Sequence, residues 1–363
     1  MIGGSQPVLL QSMCATKTTD IAATAHMATV LFEAGAGLVR VAVDTQRDAM
    51  ALREISQQTP ARLSVDLHEN YKLAEIVAPF VKKIRYNPGH LHHIDPEISW
   101  REKVKRIADI AGEFGCALRI GVNCGSLDPN AKSRDDGSLD NLPLLVSPLE
   151  HAEFLDSIGF ANYCVSLKSS DMRMVIRANR EFARRRPDVP IHLGLTEAGM
   201  PPEAVLKSRA ALEPLLAEGI GDTLRVSLTV PNDRKIEEIT AGRLILENVA
   251  AGRIMTPDQL QLPRLDIISC PSCARVENNA FVELAEKIRE ATRFAADYPL
   301  HIAVMGCRVN GPGETDNADL GVWCGATQAN LKRGETLIGC FPYDEIVARL
   351  IEELRKLITQ NEW

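Results

Sequence analysis

The sequence has no long apolar run. None of its 363 residues falls in a stretch near the ~18 apolar residues that a membrane helix needs, so no membrane span is expected. The start, MIGGSQPVLLQSM, lacks a basic leader with an apolar stretch and a small-residue cleavage site, so export is not expected either. A cytoplasmic, reducing setting follows, and there the nine cysteines are poor disulfide candidates. Their odd number points the same way. Positive charge is not in excess: 41 Lys and Arg stand against 48 Asp and Glu, a net −7. General binding of nucleic acid or of an anionic membrane is therefore not expected, although a local concentration of cations remains open.

What is present is a rhythm. Short apolar, often β-branched runs end in polar residues and are followed by a loop and a helix-like segment. Eight such runs occur, at 7–13, 37–43, 62–68, 83–89, 117–123, 162–168, 190–196 and 223–228. Helices are expected between them, at 20–34, 100–114, 202–217 and 235–249, the first three closed by Gly35, Gly115 and Gly219 as C-cap signals. Eight βα units in about 250 residues is the arithmetic of a TIM barrel. An open doubly wound sheet also alternates strand and helix, but no G-x-G-x-x-G follows the first strand. The α/β reading is a (β/α)8 barrel over residues 1–257 and a small α/β cluster domain over 264–363, with the boundary in the proline-bearing stretch 256–265. In the second unit strands are expected at 266–269, 301–306, 319–323 and 336–341, and helices at 278–294 and 343–359. Residues 126–147 read as a long polar loop after the fifth strand.

Polar residues inside the strands share one parity. Asp66 pairs with His68, Arg85 with Asn87, Arg119 with Asn123, Ser166 with Lys168 and Arg225 with Ser227, and Thr196 follows His192 and Gly194. Residues two or four apart lie on one face of a strand. The residues between them suit packing against helices, so this parity points into the barrel near its C-terminal mouth, the catalytic face of the fold. Five cations meet there: Arg40, Arg85, Arg119, Lys168 and Arg225. Burying unpaired charge is costly, and arginine forks suit phosphate oxygens, so a substrate with more than one phosphate charge is expected. One or two of these arginines are expected to pair internally with Asp44, Asp66 or Glu197. Lys168 reads as a phosphate-binding lysine, with a Schiff-base lysine as the alternative. Glu197, just past the seventh run, is an acid–base candidate or a carboxylate at a helix start.

The cysteines carry a second signal. Cys270-Pro-Ser-Cys273 is a C-x-x-C, Cys307 follows in GCRVNGPGE, and Glu314 closes that motif. A redox dithiol would not need Cys307. A structural zinc would want a fourth Cys or His, for which Cys324 stays open. An iron–sulfur cluster on Cys270, Cys273 and Cys307, with Glu314 returned by the Asn310-Gly-Pro-Gly turn, is the favoured reading. The C-x-x-x-C-x-x-C pattern of radical enzymes is absent. Most remaining cysteines read as small buried hydrophobes. Cys14 and Cys124 end strands and are expected near the site.

The segments VLLQSM, LVRVAV, VDLH, IRYNPG, LRIGVNCGSL, VSLKSSD, HLGLTEAGM, EGIGDTLRVSL, SCPSC and VMGCRVNGPGE resemble, nearly end to end, the 4-hydroxy-3-methylbut-2-en-1-yl diphosphate synthases of the non-mevalonate isoprenoid pathway. The resemblance implies a TIM barrel followed by a domain like a module of sulfite and nitrite reductases. It implies a head-to-tail homodimer in which one chain's cluster domain closes the other's barrel. It implies a 4Fe-4S cluster on Cys270, Cys273, Cys307 and Glu314. The cyclic diphosphate would be held by Arg40, Arg85, Asn87, Arg119, Asn123, Lys168, Arg225 and Ser227, with Asp66, His68, Thr196 and Glu197 lining the pocket. Its activity would be reductive ring opening and dehydroxylation, fed by flavodoxin or ferredoxin, with Glu197 delivering a proton. The chain departs from the family at Met13-Cys14-Ala15-Thr16, where M-T-N-T is usual, and at His90, where NPGN is usual. The alternative reading is a Schiff-base sugar-phosphate lyase with a structural metal.

Overall fold

A computed structural model describes residues 2–278, 280–307 and 309–360. Eight parallel strands form the first sheet: β1 Leu9–Met13, β2 Leu38–Ala42, β3 Leu63–His68, β4 Lys83–Tyr86, β5 Ala117–Asn123, β6 Tyr163–Lys168, β7 His192–Leu193 and β8 Thr223–Leu224. They run in the order β6-β5-β4-β3-β2-β1-β8-β7, and a parallel bridge from Val165 to Ile191 joins the two ends. The expected barrel is therefore closed, as the short ladders and right-handed crossovers of the fold require.

Local signals set the helices around it. Thr45 with Asp48 and Ser99 with Glu102 form reciprocal capping boxes at the starts of Gln46–Gln58 and Trp100–Glu113, each satisfying two orphan backbone donors. Asp20 accepts from the Ala23 N–H at 3.1 Å. Val39, Val41, Val65, Leu67, Ile84 and Leu118 are buried on the outward parity of their strands, where they meet the helices. The strands β7 and β8 are much shorter than their sequence runs.

Five strands form the second sheet: β9 Asp266–Ser269, β10 His301–Met305, β11 Leu320–Cys324, β12 Gln328–Arg333 and β13 Thr336–Pro342. The first three are parallel and the last two antiparallel. Helices Phe281–Ala291 and Ile346–Gln360 cover it. Phe281, Leu284, Ile302, Val322 and Leu350 build its core. The strand β12 was not expected from QANLKR, where only Ala329 and Leu331 alternate inward. The 126–147 segment is not all loop: it holds a turn of helix at Pro129–Lys132 and the start of Pro143–Ser157, with Pro143 in the first turn, where its missing N–H costs nothing. Cys340, expected to be buried, is exposed on β13.

The second sheet rests on the mouth of its own chain's barrel. Ala198 bridges in parallel to Ser269, so the segment after β7 extends the edge of β9. Met200 from that segment enters the second core. The closure that the resemblance implies between two chains is made here within one chain. The same edge pairing and side-chain contacts are satisfied within one chain. No helix among the described residues is long and apolar enough to cross a membrane.

Phe281→Ala should remove a fully buried ring from the second core and cost about 3–5 kcal/mol. Guanidinium denaturation of the purified protein reads this; a loss below about 1 kcal/mol would show that the ring is not a core anchor.

Candidate active site and cluster centre

The barrel mouth and the cysteine loop enclose one cavity. Arg40, Asp66, His68, Arg85, Arg119, Asn123, Lys168, Thr196, Glu197, Arg225 and Ser227 line it from the barrel, and Cys270, Cys273 and Cys307 from the other side. Two of the expected site residues do not line it. Asn87 is buried in its own turn, donating to Ser126 Oγ at 2.9 Å and accepting from the Gly89 N–H at 3.2 Å. It holds the Asn-Pro-Gly loop. Glu314 packs instead against Gly125, where an added Cβ would lie 2.6 Å from Glu314 Oε1. Cys324 lies buried in β11 and also stays outside the cavity.

Charge sorts the five cations into two groups. Arg85 is committed: it donates to Asp66 Oδ1 at 2.8 Å, to His68 Nδ1 at 2.9 Å and to the Gly121 carbonyl at 2.7 Å. Arg225 is also committed, to Glu238 at 3.3 Å. Glu238 in turn accepts from Ser12 at 2.7 Å and Lys235 at 2.8 Å. Sequence reasoning missed Glu238, because it sits on the helix after β8 rather than on a strand. Among the described residues the Arg40 guanidinium hydrogen-bonds only the Met13 sulfur, at 3.0 and 3.1 Å. Arg119, 1% exposed, has two guanidinium nitrogens without partners. Among the described residues Lys168 likewise makes no ion pair. Three cations therefore face the cavity without a carboxylate.

Small residues make this crowding possible. A Cβ on Gly121 would lie 2.2 Å from Arg85 Nε, and one on Gly194 would lie 2.5 Å from Lys168 Nζ. Burial, then the charges of Arg119, Arg40, Arg225 and Arg85, pulls Lys168 well below its usual pKa. Burial alone would raise Asp66, but Arg85, Arg275 and Arg40 outweigh it and hold that carboxyl well below the usual range. His68 and His90 stay neutral, pulled down chiefly by burial, the latter to about 3.

A further cation was missed by sequence reasoning. Arg275, two residues beyond the C-x-x-C, donates to Asp44 at 2.6–2.9 Å and to Asp66 Oδ2 at 3.4 Å. It fastens the cysteine loop to the barrel. Lys17 adds bonds to the Ala274 and Val276 carbonyls at 2.9 and 2.5 Å, and Thr229 reaches the Cys270 carbonyl at 2.9 Å. Only its spacing from Cys273 could have flagged Arg275. Of the two cysteines expected near the site, Cys124 is half-buried beside Ser169 and Glu314, and Cys14 is buried against the Thr24 carbonyl.

The three thiols line one side of the cavity. Cys273 and Cys307 hydrogen-bond each other, which holds Cys273 at about 6, whereas burial pushes Cys270 up to about 12. The Gly306 N–H donates to Cys270 Sγ at 3.3 Å. Glu314 Oε1 is buried without any partner, while Oε2 accepts from Ser170 at 3.2 Å. Three thiols and an orphaned carboxylate oxygen fit the donor set of an iron–sulfur cluster with one non-cysteine ligand. Glu197 is buried, its Oε1 accepting from Asn310 at 3.1 Å and its Oε2 unpartnered. Burial raises its pKa against the pull of Thr196, Asn310 and the nearby cations. It thus keeps a proton further toward neutral pH than an ordinary carboxyl.

Residues 1–243 match the family described as the GcpE TIM-barrel domain, and residues 266–356 match the GcpE protein C-terminal domain. The chain belongs to the GcpE family. A 4-hydroxy-3-methylbut-2-en-1-yl diphosphate synthase (flavodoxin) of Rhodopirellula baltica is 56% identical over 361 residues, covering 99% of this chain and 94% of that one. Enzymes of the same name from Wolinella succinogenes and Nautilia profundicola are 40% and 38% identical, covering 98% of this chain and 92% and 95% of theirs. This GcpE chain therefore spans nearly the whole of its relatives, and the Schiff-base lyase reading is not favoured.

Two outcomes follow for inorganic pyrophosphate as a probe of the cavity. Arg119→Gln should weaken its binding roughly 10- to 100-fold, the worth of charge-assisted hydrogen bonds; an unchanged Kd would remove Arg119 from the anion site. Anion binding should raise the depressed Lys168 pKa, so the bound state holds more protons and affinity falls as pH rises through that range. Calorimetry in buffers of different ionisation enthalpy should show more proton uptake by the wild type than by Lys168→Met, and equal uptake would contradict the assignment.

Proposed function

We propose that this GcpE-family chain opens and dehydroxylates 2-C-methyl-D-erythritol 2,4-cyclodiphosphate to (E)-4-hydroxy-3-methylbut-2-enyl diphosphate in isoprenoid biosynthesis. Two electrons and a proton enter, and a water leaves. The observation that carries this reading is the meeting of three uncompensated cations and three thiols across one cavity. Residues 1–257 would bind substrate, and 264–363 would carry the cluster.

Each side chain has a task in this reading. Arg40, Arg119 and Lys168 take the diphosphate oxygens and offset the charge that develops as the ring C–O bond breaks. Arg85 and Arg225, already neutralised by Asp66 and Glu238, orient rather than add charge. Asn123, Ser227 and Thr196 offer polar contacts at the rim, and His68, neutral, accepts from Arg85 through Nδ1. Asn87 supports the floor of the site from its turn. Glu197 holds a buried proton beside Asn310 and delivers it to the departing hydroxyl. A 4Fe-4S cluster on Cys270, Cys273, Cys307 and Glu314 would supply the electrons and a Lewis-acidic iron. The closing loop keeps water from competing for that proton.

Reduced flavodoxin is the electron donor favoured here, since the relatives carry it in their names; ferredoxin is the second choice. A cytoplasmic setting suits the free thiols. A head-to-tail homodimer that exchanges its cluster domains would rebuild in trans the contacts seen within one chain, which is the geometry of domain swapping.

Anaerobic assay with dithionite and a viologen mediator tests the chemistry. Glu197→Gln should retain the cluster's visible absorption and bind substrate yet lose at least about 100-fold in turnover; near-normal turnover removes Glu197 from proton delivery. Co-expressing Arg119→Gln with Cys307→Ala chains tests the dimer. Exchanged domains restore about a quarter of the activity, since half the dimers have one intact site of two. No restored activity means each chain closes its own barrel.

A further inference from the structure

A third group of ligating side chains, Glu69, His90 and His93, shares a recess with Cys307 and Arg275 but uses neither of them. It sits where the chain leaves β3 and β4. His68 adopts a left-handed φ of 55°, and this bend turns the next residue, Glu69, toward the loop after β4. That loop makes a tight turn in which the His93 N–H bonds the His90 carbonyl at 3.2 Å. The turn places His90 and His93 on one side, with ring centroids 4.7 Å apart. One Glu69 oxygen then lies 2.8 Å from His93 Nδ1 and 3.9 Å from His90 Nδ1.

The three donor atoms lie within 4.8 Å of one another. Bonds of ~2.0–2.1 Å in tetrahedral geometry put ligand atoms about 3.3 Å apart, so the observed separations bracket that value. The second observation is that His90 is 8% exposed and its Nδ1 has no hydrogen-bond partner. A buried ring nitrogen aimed at a carboxylate but too far for a hydrogen bond is an unmet demand. The cation Arg275, which lines the same recess, is already held by Asp44 and Asp66.

We infer that Glu69, His90 and His93 form a binding site for a divalent transition metal of zinc's class. Two imidazoles and a carboxylate are borderline donors suited to such ions. The site would tie the ends of two barrel strands together. It would also fix the His90 ring, which packs edge-on against His68 at 4.2 Å and so borders the substrate cavity. Binding would replace the His93–Glu69 hydrogen bond with two bonds to the metal.

The test uses the cluster-loaded protein and zinc chloride as the probe. After equilibration with about 10 µM zinc and desalting, about one zinc per chain should remain, beyond the cluster iron. X-ray absorption at the zinc edge should show only nitrogen and oxygen neighbours at ~2.0–2.2 Å. His93→Ala and Glu69→Gln should each cut zinc to below about a tenth per chain with iron content unchanged, and His92→Ala should keep it. Loss of zinc on desalting, sulfur neighbours in the absorption spectrum, or full zinc in His93→Ala would each overturn the site. The wild-type spectrum decides the matter even if a variant fails to fold.

Discussion

Charge balance inside the cavity at the barrel mouth governs this molecule. Five cations enter the barrel mouth on one strand parity, and burying them unpaired would be prohibitive. The structure answers with two carboxylates on the protein side. Asp66 takes Arg85 and part of Arg275, and Glu238 takes Arg225 and Lys235. Three cations stay unmatched, and they face the thiols. The anion recognition proposed above would rest on the deficit left after internal pairing.

The same balance joins the two units. Arg275 comes from the cysteine loop and spends its guanidinium on Asp44 and Asp66 of the barrel. A cation that secures the cysteine loop thereby also tunes the carboxylate that orients Arg85. Asn310 does the reverse, reaching from the loop beyond Cys307 to Glu197. Edge pairing of Ala198 with Ser269 supplies backbone registration, so the thiols and the barrel cations meet with little freedom. All of these contacts are compatible with closure within a chain or between two chains, because they involve the same surfaces; only the path of the 251–265 connection separates the two cases.

Much of this was legible in the residues. Eight apolar runs foretold eight strands because strand burial writes itself as local periodicity. The period-two parity foretold which polar residues face inward, because alternation is a property of the strand alone. The thiols and the cation set were named from spacing and side-chain chemistry. Less legible were β12, whose alternation is short and weak, and the helix beginning at Pro143, hidden in a polar stretch. Asn87 was misplaced because parity carries only to the end of a strand, and the turn at Pro88 redirects it.

By itself, then, the sequence determined the eight barrel strands, their inward face, the donor chemistry and the family. Those follow from local patterns and from side-chain identity. Only the tertiary structure decided which cations are neutralised, since Glu238 and Arg275 come from elements far along the chain. It decided that Glu314 packs on Gly125 beside Ser170, and that Glu69, His90 and His93 converge on one point. Such matters depend on distances between segments that close the barrel, and no local pattern encodes them.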